Sequence, residues 1–124
     1  MLFDTSKFDA ISGLNAKRGL DGFEDDIEDY LAAIRSFLRN APKAADKLRN
    51  VTEENLSEYA INIHGVKSMS AWICAEDINA NAIKLETMAK AGDISGVSAQ
   101  NDKFLKDLEA FTKDLQSLLD DSDK

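Results

Sequence analysis

The sequence predicts an all-α fold, an antiparallel up-down-up-down four-helix bundle with a short extra N-terminal helix. Three observations carry this reading. Apolar residues recur at three- and four-residue spacing almost throughout. Helix punctuation is sparse, with six glycines, one proline and few β-branched clusters. The 124 residues can bury one core but not two, so residues 1–124 are read as a single domain.

Each element follows from its own pattern. Lys7 to Gly19 places Phe8, Ile11 and Leu14 on one face of a short amphipathic helix, weakened by Gly13 and Gly19. The acidic opening Glu24-Asp25-Asp26 suits a helix N-terminus, and Ile27, Tyr30, Leu31, Ile34, Phe37 and Leu38 form the apolar stripe that follows. Pro42 predicts a kink or break near Asn40, with Ala44, Ala45 and Leu48 continuing the face in roughly the same direction. Thr52 is read as the cap of the next helix, with Glu53 and Glu54 in its first turn and an end near Ile73. A fourth helix spans Glu76 to Ala91, with Ile78, Ala82, Leu85 and Ala89 inward and Gly92 ending it in a left-handed conformation. The last starts at Ser95 or Val97 and runs to Leu119, burying Val97, Phe104, Leu108, Phe111, Leu115 and Leu118 before a frayed polar tail, Asp120 to Lys124.

Composition narrows the function. The chain is 44% hydrophobic and 31% charged, a globular balance, and no apolar run approaches the roughly 18 residues of a membrane span. Met1-Leu2-Phe3-Asp4 has neither the basic start nor the apolar stretch of a secretory signal, and Cys74 has no second cysteine to pair with, so the expected compartment is the cytoplasm. Acidic residues number 23 against 15 basic, a formal charge of −8, which opposes binding to nucleic acid or to an anionic membrane. One histidine and one cysteine do not make a four-ligand site, so no metal is expected. With no second histidine, phosphate loop or nucleophile elbow, autonomous catalysis is not indicated.

The sole histidine, His64, falls mid-helix. At 100° per residue, Leu56, Tyr59, Ile63, Val66, Ser70 and Ile73 line one side, whereas Ser57, Ala60, His64, Lys67, Ser68 and Ala71 line another. A solvated helix face tolerates a histidine without any function. Yet unprotonated imidazole can attack a phosphoryl group, Lys67 one turn along supplies counter-charge, and Ser68 supplies a hydroxyl. Small Ser57, Ala60, Gly65 and Ala71 would let another protein approach the ring closely. Met69, Trp72 and Phe104 are read first as core, with Trp72 alternatively edging a docking surface.

Ile63 to Asp93, IHGVKSMSAWICAEDINANAIKLETMAKAGD, resembles the signature of histidine-containing phosphotransfer domains. In that family the phosphorylated histidine is followed by an aliphatic residue two positions on and a lysine three on, here Val66 and Lys67, with a later leucine-glutamate pair and glycine matched by Leu85, Glu86 and Gly92. Gly19-Leu20, Tyr30-Leu31, Ile34, Phe37 and Ala41-Pro42 extend the resemblance over about residues 8 to 119. Two departures are Ser68 and Cys74, where the family usually has glycine. The resemblance implies a phosphocarrier, not an autonomous enzyme. His64 would be phosphorylated, Lys67 would stabilise the product and Ser68 would assist, while Ser57, Ala60, Ile61, Gly65 and Ala71 would dock the partner. That partner would be the receiver domain of a response regulator, a hybrid sensor histidine kinase, or both. The receiver would bring Mg2+ and the phospho-aspartate, and this chain would bind no cofactor. The alternatives are a non-catalytic helical-bundle interaction or adaptor module, and the phosphotransfer portion of a hybrid or chemotaxis kinase.

Overall fold

A computed structural model describes residues 5–122; the start read for a secretory signal, Met1–Asp4, and the last two tail residues, Asp123 and Lys124, lie outside the described residues. A 3-10 turn, Thr5–Ala10, precedes α1 (Ala16–Gly22), α2 (Ile27–Leu48), α3 (Leu56–Trp72), α4 (Glu76–Lys90) and α5 (Ile94–Ser122). Each of the four long helices packs on the next, and α5 returns against α2. Short connections make successive helices antiparallel, so the bundle closes in sequence order. No helix among the described residues is long and apolar enough to cross a membrane.

The expected N-terminal helix is two short pieces. Gly13 adopts φ +83°, a left-handed conformation that a continuous helix excludes. The segment beyond it is drawn to the end of α3, where Leu14 bridges Ala75 and the Asn15 N–H donates to Cys74 O at 2.9 Å. Gly19 lies flat against Tyr30, whose buried hydroxyl donates to Ile73 O at 2.8 Å.

The acidic trio does not open α2. Glu24 and Asp25 stand outside it with φ 55° and 63°, and Asp26 is the N-cap, its carboxylate accepting from Asp29 N at 3.2 Å. Aspartate serves better there than inside the helix because its side chain satisfies an orphan N–H. Helix α2 is not broken at Pro42, which sits on the exposed face while Ala41 and Leu48 stay buried. Thr52 likewise does not cap α3. Thr52 and Asn55 exchange backbone-to-side-chain bonds of 2.7 and 3.3 Å that close a separate turn, and the helix begins at Leu56.

Both ends of the α3–α4 pair close in the same way. Cys74 N–H donates to Ala71 O and Ala75 N–H to Ser70 O; Gly92 N–H donates to Ala89 O and Asp93 N–H to Met88 O. These are paired C-terminal bonds around a left-handed residue, with φ 58° at Cys74 and 76° at Gly92. The glycine that the resemblance leads one to expect at position 74 would have a backbone reason, and cysteine occupies that left-handed conformation. Asp93 then accepts from Gly96 N at 2.9 Å, so α5 starts at Ile94, ahead of the expected position. It also continues past Leu119 to Ser122, beyond the expected fraying point.

Apolar residues at the expected positions fill the interior, among them Tyr30, Ile34, Phe37, Ile63, Val66, Leu85, Leu108 and Leu115. Phe104 is buried and Met69 packs partly against the core, but Trp72 is 58% exposed. Its helical phase puts it with Ile61 and Gly65 on the outer face of α3, where its ring rests on Phe23 at 5.9 Å between centroids.

Candidate functional site

Helix α3 turns His64 outward because Ile63 and Val66 on either side are fully buried. The imidazole is 56% exposed. Helix α4 runs antiparallel beside it and delivers Glu86, whose side chain is only 7% exposed. Glu86 Oε2 lies 2.6 Å from His64 Nδ1, and Lys67 Nζ donates to Glu86 Oε1, also at 2.6 Å. Lys90, one turn along α4, brings its ammonium to 3.6 Å from Oε2.

The electrostatics of this cluster fix its protonation. A carboxyl buried among apolar side chains favours the neutral form, but the hydrogen bond from Lys67 outweighs that burial. With the His64 bond and the charges of Lys67 and Lys90 added, the Glu86 pKa is held down to about 2. Glu86 is therefore a carboxylate near neutral pH and can only accept. The shared hydrogen must sit on His64 Nδ1, which in the neutral ring leaves the lone pair on Nε2. Nε2 has no hydrogen-bond partner among the described residues. Two ammonium groups against one carboxylate leave the ionic edge of the site with a net positive charge.

The other residues singled out from sequence distribute around this centre. Ser68 is exposed one turn beyond His64, and Ser57, Gly65 and Ala71 are exposed along α3. Ile61 is 73% exposed, while Ala60 is half-buried against the core. A Cβ built on Gly65 would meet nothing within 4 Å. Cys74 lies at the far end of α3, half-buried, and burial pushes its thiol up. Among the described residues no group of three or more His, Cys, Asp or Glu could hold a metal ion.

Sequence reasoning matched Glu86 to a family position but gave it no role, and it passed over Lys90. A signal was present. Glu86 is four residues from Ala82 and adjacent to Leu85, inside the inward arc of α4, and a carboxylate there requires a cationic partner. None of the protein-family models, curated proteins or solved structures compared with this chain matches it, so the site is described by its own atoms alone.

Proposed function

We propose that this chain is a phosphocarrier that accepts a phosphoryl group on His64 from a receiver-domain aspartate or a kinase and passes it to another receiver. The observation that carries this reading is the 2.6 Å contact between His64 Nδ1 and a buried carboxylate, on a ring that stays more than half exposed. In the transfer, the Nε2 lone pair forms the N–P bond while the P–O bond to the partner's aspartate breaks and the electrons leave with that carboxylate. The ring retains its Nδ1 proton and so becomes cationic, and Glu86 stabilises that charge. Lys67 and Lys90 offset the dianionic charge of the transferred group. Phosphoryl transfer chiefly requires alignment and charge neutralisation, and the receiver's own Mg2+ supplies the remainder.

The decisive experiment mixes the purified protein with a phosphorylated receiver and follows an acid-labile, base-stable phosphate. His64→Gln abolishes the label if the reading holds, and unchanged labelling of the variant refutes it.

A helical bundle of this kind is compatible with a protein–protein interaction module, and a second reading as a non-catalytic adaptor draws on the exposed apolar side chains of α3 and α4, Ile61, Trp72 and Ile83. A partner complex indifferent to His64→Ala, with no labelling by any receiver, would favour it.

A further inference from the structure

Helices α3 and α4 share the most extensive packing in the bundle, yet the edge that α4 turns toward α3 is built largely from small side chains. Ala82 and Ala89 recur there with the N-cap residue Ala75 at one spacing, all three buried, and Asn79 and Glu86 recur among them at the same spacing. Alanine lets two helices approach closely but offers little bulk to lock one against the other. Register along such a seam depends on directional bonds.

Those bonds stand at two levels of α4, two helical turns apart. At the upper level Glu86 Oε1 accepts from Lys67 Nζ at 2.6 Å. At the lower level half-buried Asn79 donates through Nδ2 to the backbone oxygen of the same lysine at 2.8 Å. A carbonyl oxygen only accepts, so the amide must turn its nitrogen toward it. Fully buried Ser70 completes the joint, its hydroxyl donating to Lys67 O at 3.1 Å and accepting from Asn79 Nδ2 at 3.4 Å. One residue of α3 is thus held at both ends by α4, through its backbone and through its ammonium.

Leucine at position 79 would bury more apolar surface and favour the helix, so the fold does not require an amide there. What the amide adds is direction. A polar residue in a helix–helix seam sets register, because a slide breaks a bond that no neighbouring position replaces. Register decides the contact at His64. A slide of one residue's rise, about 1.5 Å, lengthens or tilts the 2.6 Å bond between Nδ1 and Glu86.

We propose that Asn79 is a positioning residue for His64: by tying α4 to the backbone of Lys67 it fixes the register that brings Glu86 to Nδ1, and so holds the ring in its Nδ1–H form. The consequence for transfer rests on the phosphocarrier reading, whereas the state of the ring is read with no phosphoryl donor present.

Asn79→Leu and Asn79→Ala remove the amide, one with bulk in its place and one without, and both substitutes favour a helix more than asparagine does. Nitrogen NMR at alkaline pH reports the tautomer of the neutral ring. In both variants the ratio of Nε2–H to Nδ1–H should rise at least about fivefold, the equivalent of one ordinary hydrogen bond. Carbon NMR should show Glu86 titrating above about 2, toward 4.5. Ser70→Ala is the control. It removes a hydroxyl from the same carbonyl and opens a fully buried position but leaves the Asn79 bond, so it should lower the unfolding midpoint and leave the tautomer and the Glu86 titration as in wild type. A wild-type ring in both Asn79 variants would overturn the proposal, as would a tautomer change that follows lost stability equally in all three proteins. Phosphoramidate labelling of the wild-type chain tests the phosphocarrier reading by itself: no label on His64 counts against that reading and leaves the ring measurements to decide the role of Asn79.

Discussion

Glu86→Gln keeps the size of the side chain and removes its charge, which isolates what the carboxylate does. In the native protein it accepts from two groups, His64 Nδ1 and Lys67 Nζ, each at 2.6 Å. Hydrogen bonds to a charged group contribute roughly 1.5–3 kcal/mol, against about 1 kcal/mol for neutral ones. Lys67 is 29% exposed and His64 56%, so solvent screening trims the difference. The expected loss is about 1–2 kcal/mol of unfolding free energy at pH 7, or about half to one molar in the urea midpoint.

The pH dependence gives the sharper test. The Glu86 pKa falls from the usual 4.5 to about 2 in the folded protein. A depressed carboxyl contributes its stability fully above pH 4.5 and loses it as pH drops through about 2. Glutamine does not titrate, so the stabilities of the two proteins should differ at neutral pH and converge in acid. Nitrogen NMR of the ring adds a second readout. The amide can turn its NH2 toward Nδ1, which moves the ring proton to Nε2 and removes the lone pair from that nitrogen. Urea titrations across pH that run parallel for the two proteins, or an unchanged Nδ1–H tautomer in the variant, would refute the role given to Glu86.

Two further substitutions probe the frame that holds the site. Gly19→Ala would put a Cβ 2.5 Å from Cε1 of the buried Tyr30 ring, which its hydroxyl bond to Ile73 O keeps in place; a loss of about 1–3 kcal/mol is expected by thermal unfolding, and no loss would mean that the ring can yield. At Cys74, where φ is 58°, glycine should gain up to about 1 kcal/mol while valine loses about 1–2 kcal/mol, and denaturant midpoints in the reverse order would contradict the left-handed cap.

The repeat of apolar residues was enough to specify the four long helices, their inward faces and their antiparallel order, because burying a stripe at helical spacing between short connections leaves few alternatives. It also put His64 and Lys67 on an outward face, since Ile63 and Val66 claim the interior. Helix ends were less legible. Asp26 and Asp93 hold the capping position through the backbone N–H each carboxylate reaches, whereas Asn55 makes no such bond and turns its side chain back to Thr52 N. The break at Gly13 was hidden for a similar reason, because a lone glycine in an amphipathic pattern reads as a weak spot until the pairing of Leu14 with Ala75 reveals a turn.

What the sequence by itself determined is therefore the bundle and the histidine's exposure, both consequences of local periodicity. Only the tertiary structure decided which group the imidazole meets. Glu86 is 22 residues from His64 along the chain, and no local rule states that antiparallel packing of α3 on α4 brings the two within 2.6 Å. That contact fixes the ring proton on Nδ1, because a buried carboxylate flanked by ammonium groups stays ionised and must be given a hydrogen.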